Sequence, residues 1–101
     1  MLTLLLSEEF DQWLLKLRDS RARARIVARI RSASLGNLGD VAPVGEGVWE
    51  FRVHYGPGYR LYYTRRGDTV YLLLVGGDKS SQKRDIRKAI TMAAKLREQE
   101  R

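Results

Sequence analysis

The chain has 101 residues, of which 44% are hydrophobic, enough for one modest core and a single domain spanning residues 1–101. Lys and Arg number 19 against 12 Asp and Glu, and the net charge of +7 suits either a nucleic acid or an acidic protein partner. With no cysteine and one histidine, disulfides, thiolate catalysis and thiolate zinc sites are excluded, and a cytoplasmic location is expected.

Leu2 to Leu6 reads as a short strand, because the apolar opening meets Ser7-Glu8-Glu9 before a secretory core is complete. Ser7 is placed to cap a helix in which Phe10, Trp13, Leu14 and Leu17 fall on one stripe. Asp19-Ser20 breaks that stripe and caps a second helix, whose thin seam of Ile26, Ile30 and Ala33 runs among six arginines from Arg18 to Arg31. Leu35 to Gly47, with four glycines and Pro43, reads as a loop returning the chain to the sheet.

Val48 to His54 alternates cleanly, with Trp49, Phe51 and Val53 on one face and Glu50, Arg52 and His54 on the other. After the turn Gly56-Pro57-Gly58, Leu61 and Tyr63 face one way and Arg60 and Tyr62 the other, and Gly67-Asp68 makes a second turn. Val70 to Val75 is apolar at both parities, which predicts a strand buried on both faces and central in its sheet. This longest apolar run is far short of the roughly 20 residues that span a bilayer, so no membrane partner is expected. Gly76-Gly77-Asp78-Lys79-Ser80 is read as ending that strand sharply, and Ile86, Ala89, Ile90 and Ala93 then lie on one face of a last helix. The fold class is therefore α+β, in the order β-α-α-β-β-β-α.

The chemistry concentrates where period-two geometry puts Glu50, Arg52 and His54 on one strand face and the hairpin brings Arg60 and Tyr62 beside them. Arginine, histidine and tyrosine on one surface can grip a phosphodiester and move a proton, and a solvated sheet face with charge pairs is the competing reading. Lys79, at a glycine-rich turn before a helix, and Lys83, Arg84 and Arg87 on that helix can hold an RNA backbone. Arg21, Arg25 and Arg29 align on one face of the second helix, suited to phosphates, an acidic protein segment or solvent. No carboxylates cluster around the single histidine, so neither a metal nor another cofactor is expected.

The segments WEFRVHYGPGYRLYY and VGGDKSSQKRDIRKA, within Trp49 to Ala89, resemble the RelE/ParE superfamily of type II toxin–antitoxin toxins, specifically its HigB-like branch of addiction module killer proteins. The YGPGYR and GGDKSSQ stretches are the most specific parts. The resemblance implies a RelE-like fold, a twisted and mainly antiparallel sheet packed by a helical hairpin and a C-terminal helix. It also implies a metal-independent endoribonuclease that cuts messenger RNA at the ribosome through attack of the ribose 2′-hydroxyl on the adjacent phosphate. Carried onto this chain, Arg60 and Arg52 stabilise phosphate charge, His54 is a candidate proton carrier and Lys79 or Lys83 adds charge. The chain lacks the terminal Arg and Tyr arrangement of the RelE pattern and ends in a longer helix. The implied partners are a helix-turn-helix, HigA-like antitoxin, messenger RNA and the ribosome, with operator DNA reached only through the antitoxin. A ParE-like gyrase poison and a non-catalytic binding module are the alternatives.

Overall fold

The computed structural model describes residues 1–100 and opens with strand β1 (Thr3–Leu6) and helices α1 (Glu8–Lys16) and α2 (Ser20–Ser34). Both helices start where capping chemistry places them. The Ser7 hydroxyl accepts from the Phe10 amide at 3.0 Å, and Asp19 Oδ1 accepts from the Arg21 and Ala22 amides. Strands β2 (Val41–Gly45), β3 (Val48–Val53), β4 (Tyr59–Arg66) and β5 (Val70–Asp78) follow, then a 3₁₀ turn at Lys79–Ser81 and helix α3 (Gln82–Gln99).

The strands form one five-stranded sheet in the order β1-β5-β4-β3-β2, antiparallel throughout except for the parallel β1–β5 pair. The α+β architecture and the mainly antiparallel sheet are those expected. β5 lies inside the sheet, as its unbroken apolar run requires. Two elements differ from the sequence reading. Val41 to Gly45 is an edge strand rather than loop, paired with β3 across a bulge between Pro43 and Gly45, positions that an edge tolerates. β5 does not stop at Val75 but runs on through the glycines to Asp78, because Leu61, Arg60 and Tyr59 pair there with Gly76, Gly77 and Asp78.

Those glycines serve close packing. A Cβ on Gly76 would stand 2.1 Å from the Trp13 ring, and one on Gly77 would stand 2.0 Å from Asp85 Oδ2. Helices therefore approach β5 from both sides. On one face Phe10 and Leu14 of α1 and Ala22, Ile26 and Ala33 of α2 pack on Phe51, Val53, Leu61, Tyr63, Tyr71 and Leu73. On the other, Ala89 and Ala93 of α3 cover Val48, Tyr62, Leu74 and Val75. A register shift between Tyr62 and Tyr63 leaves both Leu74 and Val75 on the α3 side. Among the described residues no helix is long and apolar enough to cross a membrane.

Candidate functional site

The topology gathers most of the chemistry at one end of the sheet: Asp40 before β2, the end of β3, the start of β4, and the 3₁₀ turn after β5. The β3–β4 turn is pinned there by a hydrogen bond from the Gly58 amide to the Tyr55 carbonyl. The Lys79 amide in turn donates to the Gly58 carbonyl at 3.0 Å. Gly58 has a φ of +79°, and a Cβ there would meet the Lys79 side chain at 2.8 Å, so glycine permits both the turn and the approach of the lysine.

His54 projects from the end of β3 with its side chain 67% exposed, and its Nε2 lies 2.7 Å from Asp40 Oδ2. The other Asp40 oxygen is 3.5 Å from Arg52 Nη1. The His54 hydrogen bond is the main influence holding the Asp40 carboxyl below its ordinary value, with the Arg52 charge adding to it. An ionised Asp40 accepts a proton bond from Nε2–H, which in a neutral imidazole leaves Nδ1 as the acceptor.

α2 closes the groove beside this cluster. Arg29 donates to the Asp40 carbonyl at 3.2 Å, and its guanidinium lies over the Phe51 ring, while Arg25 lies over Tyr55. Gly39, with a φ of +63°, makes room for Arg29, since a Cβ would stand 2.9 Å from Nη2. The groove between α2 and the end of β3 encloses about 390 Å³ and is lined by Arg25, Arg29, Asp40, Arg52, His54 and Tyr55 among others. Three arginine side chains and one imidazole thus line a single groove, residue types whose chemistry suits a phosphodiester.

The face carrying Arg52 continues inward beneath α3, where the environment changes. Arg60 is the cross-strand partner of Arg52. Its side chain is only 12% exposed and its Nη1 lies 3.5 Å from Glu50 Oε1. Glu50 is itself 4% exposed and accepts from Arg52 Nε at 3.1 Å. The Arg60 Nε and Nη1, the second Glu50 oxygen and the Tyr62 hydroxyl find no hydrogen-bond partner among the described residues, so Arg60 meets Glu50 as an ion contact and not as a hydrogen bond.

Of the residues expected to act on RNA, the fold thus joins Arg52 to His54 through Asp40, and Arg52 to Arg60 through Glu50. Tyr62 requires a correction: the side chain read as exposed for RNA is completely enclosed under α3, and burial pushes its phenol up from the ordinary range. The reason is the second helical layer, which converts part of the expected wet face into core. Lys79, Lys83, Arg84 and Arg87 line a separate polar groove of about 580 Å³ around the 3₁₀ turn and the start of α3. Asp40 was not singled out from the sequence. It lies in a segment read as loop, and its only signal is an acidic residue just before the strand that pairs with the basic one.

A protein of Haemophilus influenzae strain Rd, described as uncharacterized, is 45% identical over 87 residues, covering 86% of this chain and 88% of that protein. The family described as Phage derived protein Gp49-like (DUF891) matches residues 12–98, which include α2, the whole β2–β5 meander, the Asp40–His54 cluster and α3 up to Glu98. The chain belongs to this Gp49-like family, within the superfamily of toxin–antitoxin addiction module toxins.

Proposed function

We propose that this protein is the toxin of a type II toxin–antitoxin pair, RelE/HigB-like in chemistry, and that it is a metal-independent endoribonuclease acting on messenger RNA at the ribosome. The single observation that carries the reading is the Asp40–His54 pair 2.7 Å apart, exposed at a groove that also holds Arg52, Arg25 and Arg29. In this reading His54 takes the proton of the ribose 2′-hydroxyl as that oxygen attacks the adjacent phosphorus. The bond from phosphorus to the 5′-oxygen breaks, that oxygen takes a proton from solvent, to which His54 later returns its own, and a 2′,3′-cyclic phosphate remains. Arg52, backed by Arg60, offsets the charge that grows on the nonbridging oxygens. Asp40 keeps the imidazole oriented and stabilises it once protonated. The groove of Lys79, Lys83, Arg84 and Arg87 holds the neighbouring backbone, a contact that weakens as salt rises.

A cognate antitoxin, HigA-like with a helix-turn-helix, neutralises the protein by covering this basic end, and the pair reaches operator DNA through the antitoxin. The test is induced expression of the wild type, H54A and R52A, with primer extension on cellular messenger RNA and a gyrase supercoiling assay in parallel. New RNA ends with the wild type and their loss in both folded variants is the expected result. Intact RNA with inhibited gyrase overturns it in favour of a ParE-like toxin, and neither effect points to a binding module.

A further inference from the structure

Five side chains, three of them from β3 and its end, form one chain of contacts running inward from the surface, with charge alternating from Asp40 onward: His54, Asp40, Arg52, Glu50, Arg60. Its links are 2.7, 3.5, 3.1 and 3.5 Å. Exposure falls along it, from 67% at His54 to 4% at Glu50. Arg52 and Arg60 are direct cross-strand partners, an arrangement in which like charges repel. Glu50 stands two residues before Arg52 on the same strand face, so a single carboxylate oxygen, Oε1, accepts a hydrogen bond from Arg52 Nε and also lies 3.5 Å from Arg60 Nη1, an ion contact without a hydrogen bond. No RNA can touch an acid so enclosed. A buried ion cluster also stabilises a fold less effectively than well-packed apolar residues of similar size, so stability alone does not explain an acid at this position.

We propose that Glu50 is the positioning residue of the site: it holds the guanidinium of Arg52 beside that of the enclosed Arg60, against their mutual repulsion, so that Arg52 addresses the phosphate with the Arg60 charge behind it. This rests on the toxin reading for the identity of the target and on the geometry alone for the arginine pair. Without the Glu50 charge the two cations splay apart, and the exposed Arg52 turns toward Asp40 or solvent. E50Q retains the shape and an acceptor oxygen but loses the charge. E50D retains the charge on a shorter arm.

The experiment follows the Nε–H signals of Arg52 and Arg60 in ¹⁵N-resolved NMR spectra, with growth arrest on induction as the functional readout. In the wild type both guanidiniums rotate slowly compared with that of Arg21, which lies on the exposed side of α2. In E50Q the two signals move toward that of Arg21 and colony survival after induction rises at least tenfold. E50D recovers part of both. A folded E50Q whose arginine signals or toxicity match the wild type overturns the proposal. Should E50Q not fold, the wild-type comparison decides, since Arg52 and Arg60 signals as mobile as that of Arg21 also overturn it. Growth arrest without RNA cuts would sink the ribonuclease reading yet leave both readouts of Glu50 intact.

Discussion

Arg60→Ala has consequences that a surface arginine would not. The Arg60 side chain is 12% exposed and shares Glu50, itself 4% exposed, with Arg52. Removing the guanidinium leaves a carboxylate buried with one cationic neighbour instead of two, and opens a gap beneath α3. Breaking a buried pair from one side costs about 3–5 kcal/mol, and because Arg52 remains, the lower end of about 3 kcal/mol applies. Against a total of about 5–15 kcal/mol for a domain of this kind, that is a large fraction. For a domain of this size it corresponds to a drop in Tm of roughly 12–24 °C, or to a fall in the urea midpoint of roughly 1–3 M. Circular dichroism melts and urea titrations of the purified variant read it directly. Replacing both partners with apolar residues, as in Glu50→Leu with Arg60→Met, recovers most of the loss, because no charge is left stranded. If Arg60→Ala lies within about 0.5 kcal/mol of the wild type, as ordinary surface substitutions do, the buried Glu50–Arg60 contact has no energetic substance. Loss of toxicity in Arg60→Ala therefore means little until its fold has been checked.

Gly76→Ala forces the Trp13 ring off β5, since its Cβ would lie 2.1 Å away, and a thermal melt should show a loss of about 1–3 kcal/mol. Tyr62→Phe removes an enclosed hydroxyl that has no hydrogen-bond partner among the described residues, so urea titration should show unchanged or raised stability, by up to about 1 kcal/mol, with growth arrest intact. Asp40 is held below its ordinary value of 3.8, chiefly by its hydrogen bond with His54. Its contribution is complete above that value and is lost as pH falls through the lower folded value, so Asp40→Asn should flatten the acid limb of a stability profile below the ordinary carboxylate value. The Tyr62 phenol is raised by burial, so the unfolded chain loses its proton first and stability falls as pH climbs above the ordinary value of 10.0; Tyr62→Phe should remove that part of the alkaline decline.

The local features of the fold were legible because each is a short-range matter. Ser7 and Asp19 cap their helices, the stripe of Phe10 and Leu14 faces the sheet, and alternation correctly divided Phe51 and Val53 from Glu50 and Arg52. What stayed hidden depends on layers that meet only after folding. Alternation assigns Glu50, Arg60 and Tyr62 to one face but cannot say that α3 lies on it, and burial of that face changes Tyr62 from a contact residue into core. Pro43 and the surrounding glycines argued for a loop, and the edge position of β2 is what lets them pair with β3. Gly76 and Gly77 look like a strand terminator until Trp13 and Asp85 arrive against them. Asp40 became visible as a site residue only when β2 docked and set it beside His54 and Arg52.

The most direct measurement uses purified protein, ribosomes and a defined messenger RNA prepared in two forms, all ribose or with one 2′-deoxynucleotide at the cut position. The ribonuclease reading predicts cleavage of the ribose form to a 2′,3′-cyclic phosphate end and none at the deoxy position, with cleavage lost in folded H54A. Equal cutting of both forms, or full activity in H54A, would contradict it.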